Sequence, residues 1–294
     1  MNEPNRIPVT KTPKCYVGGA FIRSESGRTF PLHDATGAFV AHVPQCTRKD
    51  LRNAVEAAAK AGPSWARRTP YNRAQILYRL AEMLEARRAE LQSAVALGQS
   101  VDGAAAQREV LATIDRVVHF AGWADKYEQV LGNVNPVAGP YFNFTVTEPM
   151  GVVGLIAPDA SPLLGLVSLI LPAIVSGNTV VALASETQPY PAIVLGEMLA
   201  TSDLPGGVVN LLTGLRREIL PTLATHAHVR ALFGVADADA RKQLQTGAAD
   251  SIKRLKLLAA EEELNWLEGD GPVASLYAIR DLVEFKTTWH PIGA

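Results

Sequence analysis

The feature that most constrains this chain is a strict alternation of short apolar runs and helical segments between residues 152 and 258. Apolar runs fall near 152–157, 178–184, 207–212, 229–234 and 252–258. Segments of helical period fall between them, near 162–175, 189–202, 216–226 and 237–247. Short strands separated by helices pair in parallel through right-handed crossovers. Thr179-Val-Val-Ala-Leu and Val208-Val-Asn-Leu-Leu are apolar on both sides, as strands covered on both faces must be. The expected fold is therefore α/β, a five-stranded doubly wound parallel, Rossmann-like sheet. A chain of 294 residues has ample core for such a domain together with N-terminal additions.

Those additions begin with β structure over 15–43, where Gly18-Gly19, Ser26-Gly27 and Thr36-Gly37 supply the turns. Helices follow. Thr47 with Asp50 forms a capping box that opens a helix over 51–61. Pro70 starts a second helix, with Ile76, Leu77, Leu80, Met83 and Leu84 on one stripe. A third spans 105–130, with Leu111, Ile114, Val117, Val118 and Ala121 facing inward. Two alternating segments stand outside the βα rhythm, Tyr141-Phe-Asn-Phe-Thr-Val-Thr and Leu282-Val-Glu-Phe-Lys-Thr-Thr-Trp-His. They are read as strands of a separate small β element.

A net charge of −1, with both signs mixed along the chain, argues against a nucleic-acid or membrane-surface partner. Two cysteines are too few for a disulfide framework. The first residues carry no apolar signal core, and the longest apolar stretch, 162–176, is short and holds Gly165 and Pro172. The expected compartment is the cytoplasm.

In an open α/β sheet ligands collect at the carboxyl ends of the strands. Here those positions are Ala157–Pro162, Ala184–Gln188, Thr213–Arg217, Gly234–Asp237 and Ala259–Glu262. None carries a glycine-rich dinucleotide or phosphate-loop fingerprint; Gly151 and Gly154 precede the end of their strand.

Phe120-Ala-Gly-Trp-Ala-Asp-Lys126, Glu148-Pro-Met-Gly-Val-Val-Gly154 and Pro205-Gly-Gly-Val-Val-Asn210 resemble motifs of the aldehyde dehydrogenase family. Asp34-Ala-Thr-Gly37 and Ala41-His-Val-Pro44 are similar to its N-terminal strands, and the resemblance runs in order to about Leu258. The family oxidises aldehydes with NAD or NADP. A cysteine thiolate attacks the carbonyl, an asparagine amide stabilises the oxyanion and a glutamate activates water.

Carried over residue by residue, the resemblance implies a deficit. Pro158-Asp-Ala-Ser-Pro162 matches the turn that holds the asparagine, which places Ala160 there. Leu258 or a neighbour takes the glutamate position, and no cysteine follows Cys46. The strand lysine that reaches the adenosine ribose becomes Leu183. Glu186 matches the glutamate beside it and is the one residue left to contact a ribose hydroxyl. Leu215-Arg-Arg-Glu-Ile-Leu220 puts large side chains where glycines admit the pyrophosphate. Gly234-Val-Ala236 replaces a Thr-Gly-Ser segment, and Asp159 places negative charge where a cofactor would approach.

The implied organisation is a nucleotide-binding-like domain over 14–136 and 149–270, oligomerisation strands over 137–148 and 278–294, and no catalytic domain. The expected function is that of a catalytically inactive aldehyde-dehydrogenase-like assembly or regulatory subunit. It would be a homo-oligomer or the partner of a full-length aldehyde dehydrogenase, with no cofactor, or NAD or NADP if any. The alternatives are an NAD(P)-dependent aldehyde oxidoreductase that needs a partner chain or a non-standard site, and a small-ligand sensor near Glu186.

Other candidates have plainer readings. Cys46, before a helix start, reads as a packed thiol. His226 and His228 lack further ligands at metal spacing and read as an exposed loop. Glu261–Glu263 reads as a solvated face. Trp123, Phe142, Phe144 and Trp289 read as core and interface aromatics rather than a ligand cage.

Overall fold

The computed structural model describes residues 9–98, 103–260, 264–269, 271 and 273–293. The chain opens with a hairpin, β1 (Cys15–Val17) and β2 (Ala20–Ile22), and a second antiparallel pair, β3 (Thr29–His33) and β4 (Phe39–Pro44). Helices α1 (Arg48–Ala66), α2 (Pro70–Ala86), α3 (Arg88–Gly98) and α4 (Gly103–Trp123) follow, then α5 (Tyr127–Leu131), β5 (Asn133–Val134) and β6 (Tyr141–Pro149). The βα alternation comprises β7 (Val152–Ile156), α6 (Leu164–Val175), β8 (Thr179–Leu183), α7 (Tyr190–Leu199), β9 (Val209–Leu212), α8 (Arg216–Thr225), β10 (Val229–Ala236), α9 (Ala238–Ala249) and β11 (Arg254–Ala259). After it come α10 (Leu276–Arg280) and β12 (Val283–Pro291).

Five parallel strands form the expected sheet in the order β11-β10-β7-β8-β9, and the β1–β2 hairpin extends it antiparallel from β9. Alternate strand residues feed two separate cores. On one face Val152, Val181 and Leu212 meet Leu51 and Val55 of α1, Leu220 of α8 and Leu244 of α9. On the other, Val153, Val180 and Leu211 meet α6, α7 and, behind them, α2 and α4. Gly234 is indispensable at the β7–β10 seam. Its φ is +142°, and a Cβ there would lie 2.2 Å from the Ile156 carbonyl oxygen.

The capping box at Thr47 and Asp50 is present, and Asp50 also accepts from the Ser24 hydroxyl and the Glu25 N–H, both at 2.9 Å. The third helix differs from the expected span. It ends at Trp123, a short α5 follows, and Leu111 and Val118 are exposed at 37% and 41%. The inward positions between them belong to Thr113, Ile114, Arg116 and Val117, so the buried stripe is rotated away from Leu111 and Val118. Arg116 is buried and donates to the Ser168 hydroxyl (2.8 Å) and to the carbonyls of Trp266 and Glu268 (2.9 Å each). Burial pulls its pKa down. These bonds pin the segment after β11 onto the core, where Trp266, Ala278, Ile279 and Leu282 are buried.

Every residue of α6 is buried, so the unpaired backbone groups at its ends need partners from the protein. At the N-terminus Glu109 of α4 supplies a carboxylate. Its Oε1 accepts from the N–H groups of Leu163 (3.1 Å) and Leu164 (3.0 Å) and from the Ser161 hydroxyl (3.1 Å). At the C-terminus the Trp65 indole donates to the Ile174 carbonyl (2.9 Å) and the Arg73 guanidinium to that of Val175 (3.0 Å). An anion at the positive end and a cation at the negative end both oppose the helix dipole.

The two segments outside the rhythm pair with each other. β12 runs antiparallel to β6 from Val283↔Pro149 to Pro291↔Tyr141, and β5 completes a three-stranded sheet. Among the described residues no helix is long and apolar enough to cross a membrane.

Two substitutions test this reading of the core. Glu109→Ala should lower the free energy of unfolding by about 1–3 kcal/mol, because two buried N–H groups lose their acceptor. Arg116→Met should cost about 2–4 kcal/mol, because it strips the donors from two carbonyls and a hydroxyl. Urea unfolding followed by tryptophan fluorescence measures both; a change within experimental error in either variant would contradict the corresponding assignment.

Candidate functional site

The carboxyl ends of β7, β8 and β9 lie side by side, and the loops after them meet over a cleft of about 460 Å³. Asp159, Glu186, Thr187, Arg216, Arg217 and Asp237 line it. In the turn after β7, Asp159 acts as an acceptor for the next loop. Its Oδ1 takes the Ser185 hydroxyl at 2.6 Å and the Glu186 N–H at 3.0 Å. Its Oδ2 pairs with Arg216 Nη1 at 2.8 Å, and the same guanidinium donates through Nη2 to the Ala157 carbonyl at 2.8 Å. Glu186, after β8, accepts the Arg216 backbone N–H at 2.6 Å, at the first residue of α8.

These contacts form a closed polar knot. A helix N-terminus ordinarily offers free N–H groups to an anion. At α8 the first of them is taken by Glu186, and at α6 Glu109 holds the corresponding groups. Arg216 Nε is buried without a hydrogen-bond partner among the described residues. The knot sits mostly below the surface, with the Arg216 and Asp159 side chains 21% and 35% exposed. Its ion pair is accordingly screened less than a surface pair.

The residues singled out in the sequence fall into distinct places. Ala160 is exposed at the tip of the turn after β7, and its methyl group has no hydrogen to donate to a developing oxyanion. Leu183 is buried in β8 at 2% exposure. Leu258, half-buried on β11, lines an apolar crevice with Phe233, Pro172, Ala278 and Leu282. Glu186 and Arg216 come together with Asp159. Glu109 completes the same end of the sheet, and the sequence reading did not single it out. Its only sequence signal is a carboxylate four residues from Thr113 on a helix whose apolar stripe passes beside it.

The remaining candidates are dispersed. Cys46 is fully buried, beside Cys15. His226 and His228 lie in the turn before β10, their rings 6.0 Å apart, and no group of three or more metal-ligating side chains occurs among the described residues. Neighbouring His228, Arg52 and Lys253, together with partial burial as the largest cause, pull the His226 pKa down. Trp123 lies edge-on to His119 on α4, Phe142 sits 5.3 Å from Phe144 on β6, and Trp289 meets Tyr141 at 5.7 Å. These aromatics make no common cage. Glu261–Glu263 lies outside the described residues.

Comparison with known proteins places this geometry in a family. Residues 21–261 match the profile described as "Aldehyde dehydrogenase family". The putative aldehyde dehydrogenase DhaS of Bacillus subtilis (strain 168) is 32% identical over 251 residues, covering 84% of this chain and 50% of that protein. Human retinal dehydrogenase 2 is 34% identical over 257 residues, covering 84% and 48%. The structure of an NAD+ complex of aldehyde dehydrogenase from Bacillus cereus superposes with a TM-score of 0.81 at 28% identity, covering 85% of this chain and 51% of that one. The chain thus spans about half the length of the relatives it matches. Across that span the fold, the order of its motifs and the sequence agree, and the chain belongs to the aldehyde dehydrogenase family.

Proposed function

We propose that this chain is a catalytically inactive aldehyde-dehydrogenase-like protein that works as an assembly or regulatory subunit. It would self-associate or join a full-length aldehyde dehydrogenase through residues 140–148 and 282–290. The observation that carries the reading is the polar knot at the strand ends. Arg216 is held by Asp159 and the Ala157 carbonyl, and its N–H is held by Glu186.

A dinucleotide does not fit these residues. Its pyrophosphate needs open N–H groups and close backbone approach, whereas α8 begins with Arg216 and Arg217 and gives its first N–H to a carboxylate. Glu186, the remaining candidate for a ribose hydroxyl, commits one carboxylate oxygen to the Arg216 N–H. At α6 the Glu109 carboxylate takes the N–H groups nearest the turn and adds negative charge there, which opposes stabilisation of an oxyanion. Ala160 and Leu258 supply neither the amide nor the carboxylate the reaction requires, and the two cysteines lie far from the turn in sequence, at positions 15 and 46.

The other half of the proposal rests on the β6–β12 sheet. Nine residue pairs hold the two strands in register, with Phe142 and Val146 exposed on one face at 45% and 42% and Phe285 and Trp289 on the other at 47% and 59%. Such an exposed apolar sheet marks an interaction surface. In the proposed division, 14–136 and 149–270 form the nucleotide-binding-like body and 137–148 with 278–294 form the assembly element. The cleft of about 460 Å³ favours the second reading, an NAD(P)-dependent aldehyde oxidoreductase completed by a partner chain.

Sedimentation velocity from micromolar to hundreds of micromolar chain tests the assembly claim. The wild type should associate reversibly, alone or on addition of a full-length aldehyde dehydrogenase. The double variant Phe142→Glu, Trp289→Glu should weaken that association at least about tenfold, roughly 1.4 kcal/mol. A wild-type chain that stays monomeric and unbound throughout would contradict it. Arg216→Leu separates a structural arginine from a ligand-binding one. It should destabilise the fold by about 1–2 kcal/mol, by unpairing Asp159 and the Ala157 carbonyl. Unchanged stability in urea would contradict the structural assignment.

A further inference from the structure

Cys15 in β1 and Cys46, just before the Thr47 cap of α1, lie in the core on the α1 face of the sheet and take no part in the cleft. Their sulfurs are 3.3 Å apart, and the residues are 2% and 0% exposed. Both are free thiols. The surrounding backbone fixes their positions. Cys15 belongs to a strand paired on both sides, with β2 and with β9. The Cys46 N–H donates to the Thr213 carbonyl at 3.0 Å. The Thr213 hydroxyl donates to the Pro44 carbonyl at 2.6 Å and lies 3.3 Å from Cys15 Sγ. Two thiols held in contact by three strand ends, with no metal and no catalytic partner assigned to them, constitute a site with chemistry of its own.

We propose that Cys15 and Cys46 form a redox-active dithiol site, which a peroxide converts into an intramolecular disulfide joining β1 to the start of α1. Closure brings the sulfurs from contact at 3.3 Å to a bond of about 2.0 Å. The two thiols are not equivalent. The contact with Cys46 holds Cys15 below the ordinary thiol range, whereas the same contact and burial push Cys46 up. In the proposed sequence Cys15 attacks first, and the same disulfide results if Cys46 does.

The Cys15 thiolate attacks one peroxide oxygen. The O–O bond breaks, the leaving hydroxide takes up the thiol's proton as water, and Cys15 becomes a sulfenic acid. The Cys46 sulfur then attacks the Cys15 sulfur and the S–O bond breaks. The departing hydroxide leaves as water with the Cys46 proton. The two sulfurs together give up two electrons, hydrogen peroxide is reduced to two waters, and the chain loses two hydrogens. The bond would staple the edge hairpin to α1 without a second protein.

The test uses the full reduced chain with graded hydrogen peroxide, quenched by alkylation in denaturant and read by intact mass and non-reducing peptide mapping. The expected product is lighter than the reduced chain by about 2 Da, resists alkylation at both cysteines, links the Cys15 and Cys46 peptides, and reverts with dithiothreitol. Cys15→Ser and Cys46→Ser, each with an unchanged circular dichroism spectrum, should fail to give it. The wild-type measurement decides the matter even where a variant folds poorly. Two alkylatable thiols at peroxide levels that oxidise the chain's methionines, stable sulfinic or sulfonic products in place of the bridge, or a disulfide joining two chains would each overturn the proposal.

Discussion

A helix buried along its whole length sets the conditions for the rest of this molecule. α6 has no solvent to satisfy its terminal backbone groups, so neighbouring elements must come to it. α4 brings Glu109 to its N-terminus, while α1 and α2 bring Trp65 and Arg73 to its C-terminus. Those three side chains fix how the N-terminal helices sit on the sheet, and Arg116 of α4 then fixes the chain beyond β11 against the same helix. The helix start that adjoins the turn after β7 is thereby occupied by a carboxylate. The contact that satisfies the buried helix also occupies the N–H groups at its start.

The same logic extends across the strand ends. Asp159 holds the loop after β8, Arg216 returns to Asp159 from the loop after β9, and Glu186 closes the circuit on the Arg216 N–H. The members pair with one another, and Arg216 Nε is left as a buried polar atom of the knot without a partner among the described residues. Opening it for a dinucleotide would require separate partners for a carboxylate and a guanidinium that now neutralise each other. Family membership and a family-like cleft are thus compatible with a cleft that satisfies itself. Function belongs to the site and not to the fold.

Much of the architecture is legible in the sequence because central parallel strands buried on both faces leave an unmistakable apolar record. All five strands and their four helices lie within a few residues of the positions expected, and so do β6 and β12. The phase of α4 is misread because Arg116 and Thr113 occupy inward positions that a hydrophobic pattern assigns to Leu111 and Val118. The attachment of the β1–β2 hairpin beside β9 depends on a long-range pairing, Tyr16↔Leu211, that no local signal announces. The motifs suggest Ala160 and Leu258 or a neighbour as the positions to inspect, and the fold puts Ala160 in the turn after β7 and Leu258 in a separate apolar crevice. The partnership of Glu109 with α6 and of Arg216 with Asp159 is not visible. A charged side chain in a sequence reads as solvated until the fold shows what it neutralises.

The central proposal is that the strand-end cleft, whose loops are tied together by the protein's own charges, does not bind the nicotinamide cofactor. Isothermal titration of the full chain with NAD+ and with NADP+, carried to millimolar cofactor, tests it most directly. The account predicts no saturable heat with either nucleotide. A one-to-one isotherm with a micromolar Kd would contradict it.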